Sequence, residues 1–226
     1  MSLINIRDIA VIAPFKIKRL NFVAPTGEFN KTKEYAPMSG DERMAMEARL
    51  YEGISSLMDE AKHVHLKHSR MKHDVTRLMT HEFFFYTQQP LTLAEFESLQ
   101  NKINAKIKQL PDGIQFILGS FAVMSPDNKV MNVTPHITSG TPASFNFIIK
   151  NHTSSIDPSY QLKDGRFIKT LNYRNYHSTP SLPKININNK EHAFTFNNIV
   201  HCKTSGNIPF ITIVDICLDH AVGVAR

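Results

Sequence analysis

Two amphipathic stretches, each set between short apolar runs, constrain this chain more than any other feature. Ser39-Gly-Asp-Glu42 opens the first: Ser39 can cap, and Asp41 and Glu42 suit the positive end of a helix dipole. Met44, Ala48, Tyr51, Leu57, Met58 and Ala61 then recur at helical spacing. The second runs over residues 91–110, capped by Thr92 with Glu95 three positions on, and carries Leu93, Phe96, Leu99, Ile103 and Ile107 on one face. Pro111-Asp-Gly113 stops it. A buried strand over 9–13 precedes the first helix, and one over 75–79 lies between the two. After the second helix, 114–124 reads as one long strand, and the turn at Pro126-Asp-Asn-Lys129 folds the chain back from Val130. Strands follow over 132–137, 145–150, 193–196 and 210–217. Helices between the early strands and hairpins among the later ones predict an α/β sheet of mixed direction covered by helices. The chain reads as one domain over 1–226, with a long loop over 21–40 and an Asn-, Ser- and Pro-rich insertion over 151–192.

Composition narrows the function classes. A hydrophobic content of 42% and charged content of 20% fit a soluble globular domain. The net charge of +6 gives a positive field, but lysines are scattered, and no aromatic–basic motif points to nucleic acid. No apolar run approaches membrane-spanning length, so no membrane partner is expected. Cys202 and Cys217 are the only cysteines, too few for a disulfide framework or a zinc spacing. That usage suits a reducing, cytoplasmic compartment, with export by a route needing no N-terminal signal left open.

Three chemistry-bearing residues sit where apolar runs end. Glu82 follows the 75–79 run and is trailed by Phe83, Phe84, Phe85 and Tyr86, the surround in which a carboxyl can serve as a general base. Lys150 closes Phe145-Asn-Phe-Ile-Ile149, and Cys217 closes the run that begins at Phe210. Each alone has a plainer reading: a surface acid beside a core cluster, a solvated strand end, a buried structural thiol.

Taken in order, they resemble the Glu-Lys-Cys triad of the nitrilase superfamily of carbon–nitrogen hydrolases. Leu78-Met-Thr-His-Glu82 is similar to the family's strand ending in Pro-Glu, with His81 in place of the proline. Gln115-Phe-Ile-Leu-Gly-Ser120 resembles its strand ending in Gly-Ser, and Lys129-Val-Met-Asn132 the hairpin where an Asn recurs. Ile148-Ile-Lys150-Asn-His152 resembles the Tyr-Arg-Lys-x-His element, and Val214-Asp-Ile-Cys217-Leu-Asp219 the Ile-Cys-x-Asp element around the nucleophile. The likeness spans most of the chain. It implies a nitrilase-like α-β-β-α sandwich, whose second sheet would draw on the hairpin near 114–137 and later strands. Only nine residues follow Cys217, so the domain is expected to be incomplete after the nucleophile strand. The family's second glutamate has no counterpart, Asp157 being the nearest acid, and Lys163 and Lys169 are alternative candidates for the triad lysine.

By that resemblance Cys217 would attack an amide or nitrile carbon, Glu82 would move the protons, and Lys150 would steady the oxyanion, with the Leu218 N–H as a second donor. No cofactor or metal is implied; the partner would be a small amide or nitrile, and the complete domain would form a homo-oligomer. The competing expectation is a nitrilase-like domain that no longer catalyses and serves as a binding module. His63, His65, His68 and His73 raise a metal site, but adjacent lysines favour a solvated basic helix end. A papain-like pairing of Cys217 with His152 or His177 is disfavoured because such cysteines open helices. Two further expectations follow: Cys217 outpaces Cys202 in alkylation, and Glu82→Gln abolishes turnover while sparing stability.

Overall fold

The computed structural model describes residues 4–11, 38–82, 84–87, 89–152, 160–161, 167–168, 170–171 and 181–216. Both predicted helices form: α1 (Gly40–His68) and α2 (Leu93–Ile107). Each opens with a capping box. Ser39 Oγ accepts from the Glu42 N–H while the Glu42 carboxylate accepts from the Ser39 N–H, and Thr92 and Glu95 repeat the exchange. These reciprocal bonds satisfy backbone donors that a helix start otherwise leaves open. α2 buries Phe96, Leu99, Ile103 and Ile107 as its spacing predicts. α1 buries Met58 and Ala61 as its spacing predicts, with Tyr51 and Leu57 partly buried against the core, but Met44 is exposed and Met46, Leu50, Ile54 and His65 complete the inward face.

The main sheet joins β1 (Asn5–Val11), β2 (Asp74–Thr80), β3 (Ile114–Ile117), β4 (Phe121–Met124), β5 (Val130–Thr138), β6 (Ser144–Ile149), β9 (Lys184–Ile187) and β10 (Lys190–Thr195). Two-residue strands β7 (Tyr160–Gln161) and β8 (Phe167–Ile168) pair apart from it. Along the sheet the order is β1-β2-β3-β5-β6-β10-β9, with β4 paired to β5. β1, β2 and β3 are parallel, with α1 and α2 supplying the crossovers that parallel neighbours need; β5 returns antiparallel to both β3 and β4. The architecture is mixed α/β, with one large mixed sheet and two helices among the described residues. None of those helices is long and apolar enough to cross a membrane.

Several strands depart from expectation. β1 is an edge strand with much of its surface exposed, so its apolar residues do not mark a buried strand. The run over 114–124 is broken at residues 118–120 into β3 and β4. Both pieces stay in the main sheet, so they do not found a second one. Part of the expected insertion is structural, since β9 and the start of β10 extend the same sheet. A separate hairpin, β11 (Ile199–Lys203) with β12 (Pro209–Ile213), lies apart from the main sheet.

Strand alternation divides the sheet into two faces. Leu78, Ile114, Phe116, Met131, Val133, Phe147 and Phe194 join the helices in one core. On the opposite face Ile117 and Ile148 pack beneath the hairpin's Val200, Cys202 and Phe210, with Val214 and Ile216. The helix–sheet–hairpin stack places the ends of β2 and β6, and the break between β3 and β4, on the covered side.

Candidate active site

Glu82 lies two residues beyond the end of β2, in a turn pressed against the β3–β4 break. Gly119 makes that contact possible. A Cβ there would sit 2.0 Å from the His81 carbonyl oxygen, 2.8 Å from Thr80 Oγ1 and 2.9 Å from Phe84 Cβ, distances no side chain tolerates. The Gly119 N–H donates to Thr80 Oγ1, tying the break to the end of β2. Phe84 and Phe85 then dive into the helix-side core, where Phe85 stacks on Phe121 at 4.9 Å. The aromatic run anchors the turn while Glu82 itself stays 11% exposed.

Lys150 follows β6, its backbone N–H donating to the Asn132 carbonyl at 2.9 Å. The chain just beyond is pinned by Asn151, whose Nδ2 donates to the Phe196 carbonyl at 3.0 Å. From this position Lys150 Nζ donates to Glu82 Oε1 at 2.9 Å, and Asn132 Nδ2 donates to the same oxygen at 2.8 Å. The lysine side chain is 1% exposed. Two donors on one oxygen fix the carboxylate; Oε2 is buried and has no hydrogen-bond partner among the described residues. Desolvating a lysine so completely requires a counter-charge, and Glu82 supplies it.

Beside the pair lies a cavity of about 490 Å³. Its walls are residues 80–82, residues 117–120, Thr134 and residues 214–216. Ser120 is fully buried there, its Oγ unpartnered among the described residues. Asp215 accepts from Asn198 Nδ2 at 3.0 Å, and the Val214 N–H donates to the Asn198 carbonyl, also at 3.0 Å. These bonds hold the segment after β12 against the cavity although β12 itself ends at Ile213, earlier than the expected strand over 210–217.

Of the three residues picked from sequence, Glu82 and Lys150 come together. Cys217 lies outside the described residues, as do Leu218, Asp157, His177, Lys163 and Lys169. Cys202 lies in β11, buried, 4.0 Å from His136 Nε2. Burial pushes its thiol up and lowers His136 to about 4, so thiol and imidazole are both held neutral. That is the environment of an inert thiol. His65, one of the clustered histidines, is buried against Thr76 Oγ1 at 2.9 Å, and no group of three potential ligands is placed to hold a metal ion among the described residues.

Asn132 was legible as a recurring hairpin residue, though not as the second donor on Glu82. Gly119 carried a signal too, since a glycine inside a strand pattern marks a break or a close approach. Ser120 and Asp215 had none beyond their motifs. Protein-family models, curated proteins and solved structures yield no match to this chain.

Proposed function

We propose that the protein is a thiol-dependent hydrolase of non-peptide carbon–nitrogen bonds, built as part of a nitrilase-like sandwich. One observation carries the reading: a carboxylate clamped through one oxygen by Lys150 and Asn132, its other oxygen unpartnered among the described residues, lines a cavity whose wall runs to residue 216, next in sequence to Cys217. A purely structural ion pair needs neither the cavity nor the free oxygen.

In this mechanism Glu82 takes the Cys217 proton as the thiolate adds to the amide carbon, and Lys150 donates to the developing oxyanion. The carbon–nitrogen bond breaks as Glu82 passes that proton to the leaving nitrogen, releasing ammonia and leaving a thioester. Water, deprotonated by Glu82, attacks the thioester; the carbon–sulfur bond breaks and the thiolate recovers the proton. The sum is amide plus water to acid plus ammonia. A nitrile would enter through a thioimidate by the same residues, with one further water consumed.

The test is covalent. Incubating the full chain with a primary amide and quenching during turnover should add the acyl mass to the tryptic peptide holding Cys217, and Cys217→Ala should abolish both adduct and ammonia release. A folded protein that forms no adduct and releases no ammonia from amides or nitriles would overturn the hydrolase and leave a binding module.

A further inference from the structure

Two buried polar atoms belong to residues of the cavity wall and have no hydrogen-bond partner among the described residues: Glu82 Oε2 and Ser120 Oγ. A buried polar group left unbonded costs free energy, so two of them on one cavity suit a ligand that bonds both. Their chemistry says what that ligand must offer. Glu82, in its ion pair with Lys150, only accepts, and a carboxylate oxygen has lone pairs for both the Cys217 proton and one further N–H. Ser120 Oγ accepts as well. The backbone fixes where that hydroxyl lies. The Leu118 N–H donates to the Pro135 carbonyl at 3.0 Å, the Gly119 N–H donates to Thr80 Oγ1, and β4 begins at Phe121. Ser120 is fully buried between these anchors, out of reach of bulk solvent. Ile117, Val214 and Ile216 add wall without side-chain donors.

We infer that Ser120 is a specificity-determining residue whose Oγ accepts one N–H of a primary carboxamide while Glu82 Oε2 accepts the other. This rests on the hydrolase reading. A carboxamide NH2 offers two donors on one atom. Held between the two oxygens, the nitrogen stands where Glu82 returns the thiol's proton as the carbon–nitrogen bond breaks. An N-alkyl amide has one N–H, and an ester or nitrile has none, so each leaves at least one oxygen unmet. A site built to bond an N–H rejects analogues that lack it. Crowding is not the cause, since a cavity of about 490 Å³ has room for a methyl group.

Valeramide, N-methylvaleramide and methyl valerate give the same thioester on Cys217, so differences in kcat/KM among them arise before or during acylation. With the full chain, Ser120→Ala should lower the ratio of kcat/KM for valeramide to that for methyl valerate about tenfold, the worth of one hydrogen bond. Valeramide's lead over N-methylvaleramide should narrow as well. The hydroxyl removed has no partner in the fold, so the thermal midpoint should hold or rise, which a structural serine would not allow. A ratio that Ser120→Ala leaves unmoved, or a midpoint that falls, overturns the inference while the hydrolase stands. Calorimetric titration of Cys217→Ser with valeramide and methyl valerate covers a chain that turns over neither. A preference for the amide that disappears when Ser120→Ala is added sustains recognition by Ser120 and sinks the hydrolase instead. Neither turnover nor selective binding overturns both.

Discussion

The two faces of the main sheet are made by the same strands and could hardly differ more. Towards the helices β3, β5 and β6 present Phe116, Met131, Val133 and Phe147, and Phe96 of α2 meets Phe121 and Phe147 edge-on at 5.7 and 5.4 Å. Towards the hairpin the alternate positions of those strands set Gln115, Asn132, Thr134 and His136, with Lys150 at the end, all buried, beside the apolar Ile117 and Ile148. The first face is hydrocarbon whose worth follows from area removed from water. Polar groups on the second gain only what their hydrogen bonds return, and Gln115, Ser120 and His136 keep buried atoms without partners among the described residues. Folding alone does not select such a surface. A face that is costly to bury and still buried is where local rules yield to function.

Substitutions at Glu82 strike this division hardest. Glu82→Gln removes the carboxylate charge held 2.9 Å from Lys150 Nζ, whose side chain is 1% exposed. Removing one partner of a buried pair costs about 3–5 kcal/mol, so the expectation that this variant spares stability is corrected by the ion pair. Turnover should fall about 10²–10⁴-fold or more. Glu82→Gln combined with Lys150→Met should recover most of the lost denaturation midpoint and none of the activity. A stable, active Glu82→Gln would show that the two faces do not differ in kind.

Acid should weaken the polar face before the apolar one. His136 is fully buried and its pKa is held at about 4, against 6.5 for a free imidazole. Between those values the unfolded chain binds more protons than the folded one, so stability falls as pH drops from about 6.5 towards 4. The loss attributable to this residue approaches about 3 kcal/mol. Urea titrations across that range should show the slope, and His136→Asn should flatten it. An unchanged slope would mean that the imidazole is protonated without penalty.

Much of the fold was legible because its signals are local. The capping pairs Ser39–Glu42 and Thr92–Glu95 and the apolar spacing of α2 need only near neighbours in sequence, and they appear as read. Assignment to a sheet face is not local. The break at residues 118–120 depends on Gly119 meeting the turn after β2, and β9 joins the sheet through a partner that follows it in the chain. In the site, Glu82 and Lys150 stood out because each closes an apolar run, and they meet although 68 residues separate them. Asp215 and Ser120 gave no such signal, because what singles them out is a cavity that exists only once residues from three segments converge. The burial of Cys202 is likewise set by its strand: β11 alternates, with His201 and Lys203 facing outward.

Gly119→Ala sharpens the comparison by perturbing the polar side through a methyl group. The added carbon would lie 2.0 Å from the His81 oxygen, which is backbone and cannot rotate aside. Either the Glu82 turn or the β3–β4 break must move, at about 1–3 kcal/mol as for other overpacked sites. A displacement near 1 Å of the carboxylate should cost about a hundredfold in turnover. Thermal unfolding and ammonia release on the same preparation would register both, and an unaffected rate would detach Glu82 from the chemistry.

The smallest effect is expected at Gln115, and its sign is the informative part. Its side chain is fully buried on β3 towards the hairpin, and its only partner among the described residues is the Cys202 thiol, a weak hydrogen-bonding group. An amide in that state is paid for by the rest of the fold, so Gln115→Leu, of similar volume, should stabilise the protein by about 1 kcal/mol. It lies in the strand leading to residues 117–120 of the cavity wall without itself lining the cavity, so turnover should change little. A shift of the urea midpoint upward would place Gln115 among the costs the polar face carries. A downward shift of similar size would show instead that its amide is bonded in the working protein, and the apolar and polar faces would then be equally well satisfied, differing in chemistry but not in strain.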